Sequence, residues 1–282
     1  MNLKLTFFLL HLTTIFLFSC KKEKSDLDNL NIRGQVKELT VSRYLGRDNF
    51  GEIVADSLEE MEKMFYDSNG NLKLSYEYNT KGLIERKKKI SRNVDLKILS
   101  KSFYDSKDSL IQIYQYEYDS IGHLQSIRNI DSKKIILQAS VFKYDKNGFL
   151  IENRSYKGDG SLSTISRYQN DSNGLPLVMK VFDPLENIIE IYATKFDKNS
   201  NILEKEHNIR NTFVSRSTFV YDNNNELVEE NYYSSQNQKP ITKRTYNYLN
   251  RDKYNNWTVM YSTWISGDKK ILNKTVRSFI YY

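Results

Sequence analysis

The chain has 282 residues, with 21 Tyr and 14 Phe against only three Pro. That balance, together with plentiful Ile and Asn, favours strands over helices and predicts an all-β protein. The formal charge of +7 is the small excess of 42 basic over 35 acidic residues; interspersed charges of this kind exclude the dense basic surface of a nucleic-acid-binding protein.

The first segment carries the most specific cellular signal. MNLK gives a short positive region, LTFFLLHLTTIFLF an apolar stretch of 14 residues, and Ser19-Cys20 a small residue before a cysteine, which together read as a secretory signal peptide over residues 1–19. Fourteen apolar residues fall short of the roughly 20 that a spanning helix needs. Leu17-Phe18-Ser19-Cys20 resembles the lipobox of bacterial lipoproteins, and that resemblance implies an acylated Cys20 as the mature N-terminus and attachment to the cell envelope by lipid. Cys20 is the sole cysteine, so neither an intramolecular disulfide nor a cysteine-based metal centre is available. The charged run that follows, KKEKSDLDN, reads as the start of a solvated tether over residues 20–32, with Lys21, Lys22 and Lys24 as spacer charges.

From residue 33 onward a short pattern recurs: YDSNGNL at Tyr66–Leu72, then YDSIGHL, YDKNGFL, FDKNSNI and YDNNNEL. An aromatic residue and an aliphatic one stand six apart in every copy, as in Tyr66 and Leu72, Tyr118 and Leu124, or Tyr144 and Leu150. Asp at the first turn position accepts hydrogen bonds from backbone N–H groups just ahead, and Gly three residues later takes positive φ, which describes a hairpin turn closed by a bulge. Asp67, Asp119 and Asp145 thus shape turns that Gly70, Gly122 and Gly148 permit, and each aromatic faces its aliphatic across the hairpin. Glu186 and Ser200 occupy the glycine position and predict a different geometry there, and Lys157 replaces Asp in its copy.

The aromatics are spaced at one or two units of about 13 residues, which places less regular turns near residues 93–95, 131–133, 171–174 and 208–211. Residues 33–282 then form an antiparallel meander of roughly 16 to 20 strands, more than an open twisted sheet holds without curling or closing. The expected architecture is a large curved sheet, an open barrel or a porin-like or solenoid shell. Leu72, Leu74, Tyr76 and Tyr78 alternate with polar residues and predict a core face. Elsewhere Glu152, Arg154 and Glu190 share a face with apolar strand ends, which points to a wide wet interior or to a sheet wet on both sides. Strands of about seven residues argue against a transmembrane barrel, which needs 9 to 11.

The YDxxGxL turns resemble the YD repeats of RHS-type proteins, and the layout resembles YD-repeat lipoproteins of the Bacteroidota. RGQVKELTVSRY at Arg33–Tyr44 is similar to their opening, and DKYNNW at Asp252–Trp257 to a terminal variant, with Asn255 in place of Gly. The resemblance implies hairpins in a porin-like or coiled shell and supplies no catalytic residues.

The chemistry of sites is sparse. His123 and His207 have no second ligand at metal-binding spacing, and no phosphate loop or nucleophile elbow occurs. Glu59-Glu60 and Glu229-Glu230 are adjacent and would point to opposite faces of a strand. The basic run Arg86–Lys89 reads as solvated charge. Tyr232, Tyr233, Trp257, Tyr261 and Trp264 cluster near the C-terminus as candidate ligand contacts or as caps of the core. The sequence therefore points to a lipid-anchored extracytoplasmic binding or scaffold protein without cofactor, catalytic set or metal, engaging a glycan or protein partner; the alternative is an envelope assembly component that takes no small ligand.

Overall fold

The computed structural model describes residues 24–50 and 52–282. Cys20 and the expected signal peptide lie outside the described residues. Among the described residues one short helix, α1 (Asp26–Asn29), precedes 18 antiparallel strands running from β1 (Val36–Asn49) to β18 (Lys269–Tyr281). Each strand pairs with the next in sequence, and β1 pairs with both β2 (Glu52–Tyr66) and β18. The meander therefore closes into a barrel and leaves no sheet edge unpaired.

Repeated turns generate this regularity. In YDSNGNL, Asp67 Oδ1 accepts the N–H groups of Asn69 and Asn71, both at 2.9 Å, while Gly70 N–H donates to the Asp67 carbonyl at 3.0 Å. Tyr66 pairs with Leu72, and the register shifts there by a bulge. Asp119 and Asp145 repeat both side-chain bonds, and so do Asn93, Asp131 and Asp171 at the less regular turns. Glu186 and Ser200 do not depart from the pattern: at φ of 63° and 68° they take the left-handed conformation of Gly70, held by the bonds that Asp183 and Asp197 accept. Two such bonds in each turn, at about 1 kcal/mol apiece, offset a left-handed strain of about 1–2 kcal/mol. In the Lys157 turn the acceptor moves to Asp159, which takes the Ser161 N–H.

The tyrosine hydroxyls add a second link. Tyr118, Tyr144 and Tyr248 donate to the carbonyls of Ile98, Leu124 and Leu227, at 3.0, 2.9 and 2.7 Å. Each lies about one hairpin back along the chain, so the aromatic of one repeat ties down the preceding turn on the same rim.

Four expectations change. Residues 25–32 do not belong to a solvated tether: Ser25 caps α1, and Leu27 and Ile32 are buried in a cluster with Val36, Leu39 and Tyr66. This cluster closes one rim of the barrel. The supposed core face of β3 (Leu72–Tyr78) is broken by the bulge at Leu72, so Ser75 is the fully buried residue while Phe65 and Tyr76 meet edge to face on the other side. A shift between Arg43 and Tyr44 likewise brings Glu59 and Glu60 together on Arg43, at 3.3 and 2.8 Å; Glu229 and Glu230 do diverge, toward Lys243 and Arg244. Strand length does not by itself argue against a membrane barrel, since β14 (Thr212–Tyr221), β16 (Thr242–Arg251) and β17 (Trp257–Ser266) have ten residues each.

Candidate functional site

The barrel encloses a lumen of about 2140 Å³. That is more than the roughly 300–1,000 Å³ of an ordinary small-molecule pocket, and suits a large or extended ligand. Because side chains alternate along a strand, the pairing register decides which of them reach it. Lys101, Phe103, Tyr114 and Tyr116 line it from β5 (Ile98–Asp105) and β6 (Leu110–Tyr118). Asn129, Ser140, Asn153, Ser166 and Tyr168 continue the wall across β7 (Leu124–Asp131) to β10 (Leu162–Asn170).

Between β6 and β11 (Pro176–Phe182) no charged residue is among the described lumen-lining residues; the wall is amide, hydroxyl, aromatic and aliphatic. Two of its side-chain oxygens, Asn129 Oδ1 and Asn153 Oδ1, are buried without a hydrogen-bond partner, a state that proteins generally avoid. Charge returns on either side. Toward β2 (Glu52–Tyr66), Glu62 pairs with Lys88 at 3.5 Å and Glu77 with Arg86 at 3.6 Å. The basic run is thus split by strand alternation: Arg86 and Lys88 line the lumen, whereas Lys87 pairs with Asp108 and lies over the Tyr104 ring on the opposite face.

On the other flank, His207 stacks on Tyr192 with ring centroids 4.5 Å apart. Its Nε2 lies 3.6 Å from Glu190, to which the Tyr192 hydroxyl donates. His123 stacks on Tyr144 at 4.6 Å beside the turn carboxylate of Asp119. No group of metal-ligating side chains exists among the described residues. The Asp oxygens of the repeats serve their own turns; at Asp183 the Asn187 side chain and backbone N–H hold the carboxyl below its ordinary range.

The C-terminal aromatics do not form one platform. Trp257 is 8 % exposed, with the Arg277 guanidinium 3.5 Å from its ring centroid and Tyr248 at 5.4 Å. Burial pushes Arg277 down to about 10. Tyr232 pairs with Ser217, which pairs with the lumenal Lys205, so it faces inward. Tyr233 turns outward and carries Arg216 over its ring at 4.5 Å. Trp264 stands 5.8 Å from Arg244, and Tyr261 5.7 Å from Lys274 on the opposite face.

The outer face of the barrel carries ionic networks among exposed apolar residues such as Val141, Val220 and Ile265. Glu152 binds Lys143, Arg154 and Arg167 at 3.3, 2.8 and 3.2 Å, and Glu204 binds Lys195 at 2.7 Å.

No protein-family model matches the sequence, and no curated protein does. Among solved structures, a porin-like protein from Bacteroides uniformis aligns over 92% of this chain and 100% of its own, at 10% identity and a TM-score of 0.47. A chain of the Tc holotoxin pore of Photorhabdus luminescens aligns over 80% of this chain at 11% identity and a TM-score of 0.27, and this chain covers 16% of it. A β-barrel-like protein from Brucella abortus aligns over 88% of this chain and 99% of its own, at 13% identity and a TM-score of 0.23.

Proposed function

We propose that this chain is a lipid-anchored binding protein of the bacterial envelope whose barrel lumen receives a glycan. The observation that carries the reading is the uncharged inner wall from β6 to β11. Aromatic faces pack against sugar rings while amide and hydroxyl groups meet their hydroxyls, the pairing of apolar surface with a few placed polar groups that ligand sites use. Binding rather than catalysis is the proposed role, and the kinship to YD-repeat lipoproteins belongs to the same reading.

The barrel sits in water rather than in lipid. A cation or anion on a lipid-facing strand costs about 2–4 kcal/mol near the bilayer midplane, and the networks around Glu152 and Glu204 would place many such charges against the acyl chains. Membrane attachment falls instead to Cys20, reached through the residues before α1.

Two measurements test these halves separately. Labelled palmitate is expected to enter the wild-type protein in cells and not Cys20→Ala; equal labelling of the two removes the anchor. On a glycan array, the protein is expected to give saturable binding that Ser166→Trp on the inner wall abolishes and Gln169→Trp, exposed on the outer face, leaves intact. Equal effects of the two Trp variants would place the ligand outside the lumen, and an empty array would favour an assembly role for the barrel.

A further inference from the structure

We infer that the lumen takes an acidic glycan, with the ammonium groups of Lys101 and Lys205 as anchors for carboxylates on the two flanks of the uncharged wall. This rests on the glycan reading above and narrows its ligand class.

The charge balance inside the barrel motivates it. Lys101 lies between strands that carry other cations, since Lys88 and Arg92 are its electrostatic neighbours. Lys88 is answered by Glu62 at 3.5 Å and Arg92 by Asp26 at 2.7 Å. Among the described residues Lys101 forms no ion pair: Asp26, engaged with Arg92, acts on it only from a distance, and its close partner is the Tyr116 ring, 5.4 Å from Nζ. Among the described residues Lys205 has no ion pair either, and Glu230 acts on it only from a distance. Desolvation holds both ammonium groups below the ordinary lysine range. A charge removed from water and left without a partner is costly, and such groups cluster where a ligand supplies the missing charge.

Their placement follows from the repeat. Lys101 and Lys205 are 104 residues apart, four units of 26, so they occupy the same position of the repeated hairpin. The three intervening equivalents, Ile127, Asn153 and Met179, are uncharged, and all five residues line the lumen. From β5 to β13 (Ile202–Ile209) the wall spans eight inter-strand steps, about 38 Å along the sheet at ~4.8 Å per step. A monosaccharide cannot touch both ends, whereas an oligosaccharide with several acidic residues can.

Titration calorimetry of the full-length protein in detergent, with galacturonic acid oligomers and with neutral galactose oligomers of equal length, tests the inference. The acidic oligomer is expected to bind at least about tenfold more tightly, with an advantage that fades as salt screens the contact. Lys101→Met with Lys205→Met should remove that advantage without weakening the neutral oligomer, and Lys101→Arg with Lys205→Arg should keep it. Lys101→Met should melt at or above the wild-type temperature, because an unpaired charge is removed from the wall; this separates lost binding from lost folding. Equal binding of both oligomers, or an acidic preference that survives the double Met variant, overturns the anchor role and leaves the lumenal glycan reading standing. Binding of neither oligomer, or of the neutral one alone, overturns the acidic specificity, and the array result then decides whether any glycan enters.

Discussion

Asn256→Ala is expected to lower the stability of the folded barrel by about 3 kcal/mol, the sum of two or three buried hydrogen bonds left half-made. Asn256 is 3 % exposed and polar. Its Oδ1 accepts the Arg33 N–H at 2.8 Å, and its Nδ2 faces the Arg33 carbonyl at 2.8 Å and the Tyr281 hydroxyl at 3.0 Å. Tyr281 in turn donates to Asp252, the carboxylate that shapes this last turn. One side chain therefore joins the segment leading into β1, the end of β18 and the turn between β16 and β17. That is where the first and last strands must meet for the barrel to close, and truncation strands the Arg33 N–H and carbonyl that Asn256 pairs. Asn187 holds the same turn position with its amide directed only at Asp183, and it is exposed; Asn187→Ala should cost less than about 1 kcal/mol, as surface changes do. Urea unfolding of the two variants side by side decides the point. Equal midpoints would mean that closure rests on the strand ladder alone and that Asn256 is an ordinary turn residue.

The last copy of the repeat, DKYNNW, shows what the sequence discloses and what it withholds. Its Asp and its spacing predict a turn, and Asp252 makes one. Nothing in the six letters says that Asn256 reaches residue 33, because that contact exists only once the meander has come full circle. The turns were legible since each is a local device, closed within five residues by bonds that depend on one Asp or Asn. Strand number was legible too, by dividing the length by the repeat. Closure was not, because it depends on tilt and stagger accumulated over the whole sheet.

Faces were legible only between bulges. Each turn inserts a residue that reverses the alternation, which is why Ser75 rather than Leu74 is fully buried; a bulge inside the β1–β2 pair acts likewise where Glu59 and Glu60 share Arg43. A better signal lay in the interval of 26 residues. Tyr116, Phe142, Tyr168 and Thr194 stand at that spacing, as do Tyr114, Ser140, Ser166 and Tyr192, and all eight line the lumen. Reading down such columns, rather than along single strands, would have revealed the inner wall and the paired lysines on its flanks. The helix α1 was hidden for another reason: only two apolar residues, Leu27 and Ile32, anchor a charged segment, and tertiary burial overrides its composition.

Gly70→Val is expected to cost about 3–4 kcal/mol, against about 1–2 kcal/mol for Gly82→Val, where left-handed strain acts alone. Both glycines sit at positive φ, 81° and 73°, and both belong to turns of one design. Their surroundings differ. A Cβ on Gly82 meets nothing within 4 Å, whereas one on Gly70 would stand 2.9 Å from Ser25 Oγ and 3.2 Å from Leu27 Cδ1. Ser25 is the cap of α1, the Leu27 N–H donates to the Gly70 carbonyl at 3.1 Å, and Asp26 holds both Leu72 N–H and Arg92 at 2.7 Å. Valine at position 70 therefore strains a turn and also pushes α1 off the rim. Thermal unfolding should rank the variants, and hydrogen exchange should show faster exchange over residues 25–32 in Gly70→Val only. Because Asp26 is the carboxylate that answers Arg92 beside Lys101, a dislodged α1 also leaves the lumenal cations less compensated. Gly70→Val should then bind the acidic oligomer more tightly per folded molecule, while Gly82→Val binds as wild type. Unchanged exchange in α1 with the full loss of stability would confine Gly70 to its turn and detach the rim helix from the lumen.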